Sequence, residues 1–208
     1  MRYSRERIAL DRVPAFAGAR RLLSGLTDIL KRLKEDRAGM GAVEFALLVP
    51  MLIVVYLASF ELTMGLSVNK KVSSAASTVA DLVTRQKNVD KASLAAMGDV
   101  AKAIFVPYGT SGLSLKITGI KIDATSKSTV AWSWANNGVA PYAAGNAIGV
   151  PSSMVLPDTF LVHAELSVPH ELLMYLPNFS GSQIKYITLA KDFYFRQRIG
   201  AEIACADC

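Results

Sequence analysis

Thiol and imidazole chemistry is scarce in this chain: 208 residues hold two cysteines and two histidines. His163 and His170 have no companions at metal-ligand spacing, and Cys205 and Cys208 stand together near the end of the chain. A zinc site there would need two more ligands, and no further cysteine exists. Also missing are a phosphate-cradling glycine loop, a nucleophile elbow, a zinc-protease helix motif, internal repeats and low-complexity tracts. The expectation is no catalytic residue, no cofactor and no metal.

The positive charge is unevenly placed. Residues 1–39 contain ten Lys/Arg and five Asp/Glu, a net +5, whereas the whole chain is +6, so everything after Gly39 adds only +1. A basic balance confined to one end reads as a topology signal, and no nucleic-acid partner is expected from it. Within it, Phe16, Leu22, Leu23, Leu26, Ile29, Leu30 and Leu33 recur at helical spacing among basic residues between Ala15 and Lys34. That is the pattern of an amphipathic helix on an anionic membrane surface, or of one that only positions the next segment.

The next segment is the apolar run from Phe45 to Leu66, with Glu61 as its one charge. About 20 such residues cross a hydrocarbon core of roughly 30 Å, and membrane helices tolerate a proline such as Pro50. A single transmembrane helix is expected, in preference to the core helix of a soluble protein. Basic residues before the run keep that side cytoplasmic, with Lys70 and Lys71 beyond it weakening the asymmetry a little. Glu61 lies roughly 26 Å beyond Glu44, near the far interface. Glu44, at the head of the span, is either a charge favoured by the helix N-terminus or a functional carboxylate, since unpaired acids in lipid are costly. The run is too long for an ordinary secretory leader, and the small-residue stretch Ser73-Ser74-Ala75-Ala76 lies well past it.

Beyond the span, Val68, Val72, Ala75, Ala76, Val79, Leu82, Val83 and Gln86 keep the helical period, so the spanning helix is expected to run on outside the membrane, with Gly65 as its soft point. A second helix is expected from Asp90 to Phe105. The period then changes to two. Leu113, Leu115 and Ile117 alternate, and Gly119 shifts the phase to Ile120 and Ile122, the mark of a bulge. Further strands are expected at 130–134, at 160–168 and at 184–198, with a Gly/Pro/Ala/Asn-rich loop over 136–157. The Trp132/Trp134 pair is assigned to core packing ahead of a ligand contact, and both histidines to structural or surface roles. Asn178-Phe179-Ser180 fits a glycosylation acceptor, a pattern short enough to arise by chance.

The expected fold class is α+β: one transmembrane helix continuing into an extracytoplasmic helix packed on a small antiparallel sheet. The expected divisions are a leader over 1–39, a span over 40–66 and an outer domain over 67–208, the last of about 140 residues and large enough for its own core. Outside the cytoplasm, Cys205 and Cys208 are expected as a local disulfide, ahead of a redox dithiol, which would normally sit at a helix N-terminus.

The string Arg37-Ala38-Gly39-Met40-Gly41-Ala42-Val43-Glu44-Phe45, with the apolar run behind it, resembles the TadE/TadG-like pseudopilins of the tight-adherence (Tad) pilus. It looks like a type IV prepilin cleavage site. The resemblance implies a prepilin peptidase cutting between Gly39 and Met40, with loss of the basic leader. It also implies Glu44 and Phe45 at the start of the mature helix, with Glu44 pairing the N-terminal amine of a neighbouring subunit. The implied partners are the peptidase, other pilin-like subunits, the Tad inner-membrane platform and membrane lipid. The implied location is the bacterial inner membrane, with the C-terminal domain in the periplasm. Two other readings stand beside it: an unprocessed single-pass envelope protein whose outer domain binds a partner, and a membrane-anchored thiol-disulfide enzyme using Cys205 and Cys208.

Overall fold

The computed structural model describes residues 39–177 and 183–208. The leader helix expected over 15–34 and the acceptor at Asn178 lie outside the described residues. The chain divides into two compact units, Met1–Val55 and Tyr56–Cys208, each considered by itself.

Helix α1 runs without interruption from Met40 to Thr84, through both Pro50 and Gly65. Among the described residues it is the one helix long and apolar enough to cross a membrane. In the first unit its apolar side chains are exposed all round, among them Leu47, Met51, Leu52 and Val55. In the second unit the same helix becomes one-sided. Val68, Val72, Ala75, Ala76, Val79, Ala80 and Val83 are buried at three-to-four spacing, each valine stabilising the fold by about 1.5–3 kcal/mol relative to exposure. Leu82 and Gln86, expected on that stripe, are only half-buried, and Thr84 is buried in their place; the helix ends at Thr84, so Gln86 lies beyond its last turn.

Strand β1 (Asn88–Val89) leads into helix α2 (Lys91–Phe105). Asp90 caps α2 reciprocally: its carboxylate accepts from Ser93 N at 2.7 Å, and the Ser93 hydroxyl accepts from Asp90 N at 3.0 Å. These bonds satisfy N–H groups that the first turn leaves without helical partners, and they hold the Asp90 carboxyl below its ordinary range.

Four antiparallel strands come next: β2 (Ser114–Ile122), β3 (Ser128–Ala135), β4 (Thr159–Pro177) and β5 (Gln183–Arg196), in spatial order β3-β2-β4-β5. A short β6 (Ala204–Cys205) returns to pair in parallel with β1. The expected bulge is present, since the β2–β3 register shifts between Gly119 and Ile120. Leu115, Ile117, Phe160, Val162, Leu166 and Val168 join the buried valines of α1 and Leu94, Ala101 and Phe105 of α2 in one core. Trp132 and Trp134 belong to it too, and Trp132 Nε1 donates to the Ile203 carbonyl at 2.7 Å. A smaller apolar cluster on the opposite face sets Ile120, Ile122 and Leu161 under Ile148, Val150 and Val155 of the long loop.

Strand β4 exceeds its expected length. It pairs with β2 only as far as Ser167, yet its pairing with β5 continues through Pro169 and His170 to Pro177. Proline ends a reading of β-structure because it cannot donate to a ladder, but it is tolerated where a strand has one free edge. Past Ser167, β4 has such an edge, and β4–β5 go on as a two-stranded ribbon.

Candidate functional site

Three places gather candidate functional residues, two of them singled out by sequence. The first is the head of α1. The helix begins at Met40, directly after Gly39, and Met40, Val43, Glu44 and Phe45 are all exposed. Glu44 makes no ion pair among the described residues, while α1 surrounds it with apolar surface. A carboxylate so placed is inexpensive in water and costly in lipid unless a cation meets it.

The second is the chain's C-terminal end. Cys205 and Cys208 are at disulfide distance, with Cα atoms 5.7 Å apart. Around them the tail is tied down: Ala206 N donates to the Val89 carbonyl at 3.0 Å, and Asp207 Oδ1 accepts from Lys91 N at 2.8 Å. Asp207 therefore completes the N-terminus of α2, where carboxylates are favoured. Cys205, Asp207 and Cys208 are close enough to share an ion, but bonded sulfurs leave a single carboxylate, which is a poor metal centre.

The third was not legible in the sequence. On the sheet face away from the helices, Ser133, Thr118, His163 and Tyr194 form one row across all four strands by register. Thr118 and Ser133 hydroxyls bond at 3.2 Å, and the His163 ring stacks flat on Tyr194 with centroids 4.0 Å apart. His163 is 5% exposed, so its assignment as a surface or ordinary structural residue is refined: it is a buried imidazole between carboxylates. Its Nδ1 lies 4.0 Å from Glu165 Oε2 and its Nε2 3.6 Å from Asp192 Oδ2. Burial pushes the imidazole below its ordinary range, outweighing the two acids, which pull it up. Tyr142 donates to Glu165 at 3.1 Å, and burial together with that carboxylate raises the phenol. A cleft of about 280 Å³ opens here, lined also by Lys116 and Lys191. Because the two ring nitrogens face different acids, the group cannot chelate one ion through a single imidazole edge. Alternation marks His163 as outward-facing, but only the strand register reveals the acids beside it.

His170 is likewise no surface residue. It is on the ribbon, with Nε2 3.6 Å from Glu61 Oε1 of α1. The second unit thus pairs the one charge of the apolar run with a histidine 109 positions later (170 − 61).

These features define a class: an α+β protein carried on one long apolar helix. Residues 39–81 match the family model described as TadE-like protein. The match covers 43 of 208 residues (39 through 81), and its first residue is Gly39. No curated protein and no solved structure matches the chain. The TadE-like match agrees with the resemblance drawn from residues 37–50 and suggests a pilin-like protein associated with the Tad pilus. One helix able to span a membrane is consistent with a membrane-anchored component of that system.

Proposed function

We propose that this protein is a minor pilin-like subunit for assembly of a Tad-type adhesion pilus, cut by prepilin peptidase between Gly39 and Met40. The observation that carries the reading is the coincidence of two boundaries at one residue pair: the family match starts at Gly39, and the net positive charge ends there. Cleavage removes the basic leader and creates an α-amino group on Met40. The exposed Glu44 of one subunit then pairs that amine on a neighbour. In lipid the separated charges are expensive and the pair much less so, so the contact fixes register as a subunit leaves the membrane. Phe45 beside it begins the apolar surface along which subunits meet. The basic side stays cytoplasmic and the α+β unit faces the periplasm, held to the Tad inner-membrane platform through α1.

The deciding experiment is the N-terminal residue and mass of the protein from its native membrane, with and without the peptidase. A start at Met40 that depends on the peptidase is expected. An intact Met1 overturns the processing step and leaves a permanently anchored, single-pass envelope protein as the reading.

A further inference from the structure

Between α1 and the β4–β5 ribbon lies an apolar groove of about 560 Å³, within the second unit. That volume is in the range of about 300–1,000 Å³ typical of small-ligand sites. Ala58, Leu62 and Gly65 form its helix wall, and Leu172, Ile187 and Leu189 its ribbon wall. Its polar groups are few, and the main one, Glu61, already faces His170 of the same chain. An occupant therefore meets mostly hydrocarbon.

We propose that this groove holds an acyl chain of a membrane phospholipid, so that the ribbon sits in the outer headgroup layer as a second membrane contact. The inference rests on α1 as the membrane span and goes beyond it by giving the α+β unit a lipid site of its own. Continuity argues for lipid over a polypeptide. Ala58 and Leu62 belong to the apolar run Phe45–Leu66, and the neighbouring Tyr56, Phe60 and Leu66 are exposed on the same stretch of helix. Any bilayer that covers these residues reaches the mouth of the groove. The ribbon's exposed positions suit an interface: Tyr186 is exposed, with Lys185 paired to Glu171 at 3.2 Å. Tyrosine and lysine are the side chains that settle where hydrocarbon meets headgroups. A ribbon with an open edge also belongs at that depth, because unpaired backbone groups are not tolerated deeper in lipid.

The test uses the full chain in phosphatidylethanolamine–phosphatidylglycerol vesicles containing a phospholipid with a diazirine in its acyl chain. Light-induced adducts are mapped by mass spectrometry. Adducts are expected on α1 between Phe45 and Tyr56, reporting the span, and also on Leu172, Ile187 or Leu189. A Gly65→Leu variant places a side chain on the helix wall of the groove, where a Cβ meets no atom within 4 Å. It is expected to lose the ribbon adducts and keep those on α1. Adducts on α1 alone, ribbon adducts indifferent to Gly65→Leu, or ribbon cross-links to another polypeptide each overturn the proposal. Absence of adducts from α1 as well overturns the membrane reading and the groove with it.

Discussion

Replacing Gly119 by alanine probes the join between the sheet and its tail. A Cβ on residue 119 would stand 2.5 Å from Trp132 Cε2, 2.6 Å from Trp132 Nε1 and 2.7 Å from Phe160 Cζ. Two rings would have to move, and both are buried. Overpacking of this kind costs about 1–3 kcal/mol. Trp132 is also tethered through Nε1 to the Ile203 carbonyl, and pulling it away strands a buried donor at about 1–3 kcal/mol. The two costs share one displacement and do not add fully, so a loss of about 2–4 kcal/mol is expected. That is a large fraction of the roughly 5–15 kcal/mol that holds a domain together. The assay is urea denaturation of the full chain in micelles, followed by the emission of Trp132 and Trp134, the chain's two tryptophans. Gly119→Ala should shift the midpoint well to lower urea and redden native emission. Gly98→Ala in α2 is the control, because its Cβ meets nothing within 4 Å, and removing a helix glycine should stabilise by about 0.5–1 kcal/mol. Equal midpoints for Gly119→Ala and the wild type would refute the close approach of Trp132 to β2.

Three further outcomes are expected. Glu44→Ala should leave membrane insertion intact, measured by carbonate extraction, while pilus assembly falls; normal assembly by that variant would remove the carboxylate from the mechanism. His163 has its imidazole lowered by burial, so its neutral form favours the fold. Its contribution is present above about pH 6.5 and is lost as pH falls below that value, where the unfolded chain takes up the proton first. The groups facing it are Glu165, Asp192, Tyr142, Tyr194 and Lys116, and His163→Gln should flatten that acid limb in melts at pH 5 to 7.5. The Cys205→Ser/Cys208→Ser pair closes a loop so short that its loss should cost at most about 2 kcal/mol on chain-entropy grounds, read as a lowered melting temperature under non-reducing conditions. A thiol-disulfide phenotype in that double variant would instead favour the enzyme reading.

What the sequence made legible is what period and punctuation encode. Apolar spacing delivered both helices, Asp90 marked the start of α2, and Gly119 marked the bulge. The alternation at Phe160, Val162, Ala164, Leu166 and Val168 selected the sheet face that meets the helices. The missing pieces depend on residues distant in the chain. β1 and β6 are two residues each, too short for any period. The ribbon was hidden behind Pro169, whose effect on a strand depends on whether its edge is paired. The row Ser133, Thr118, His163 and Tyr194 joins positions from four strands, and its acids meet the imidazole only once β4 and β5 are in register.

The two carboxylates of the apolar run show why a helix end and a helix middle play different parts. Glu44 and Glu61 are 17 residues apart in sequence, a helical rise of roughly 26 Å. Glu61 is met by His170 of its own chain at 3.6 Å and is mostly buried beside the ribbon. It already faces an imidazole of its own chain before any subunit arrives. Glu44 is exposed and has no ion-pair partner among the described residues, so its compensation must come from outside the described fold. A carboxylate satisfied internally gives a neighbouring subunit nothing to recognise, whereas an unsatisfied one rewards only the arrangement that brings it a cation. On the proposed assembly, that difference assigns the register between subunits to Glu44 and not to Glu61.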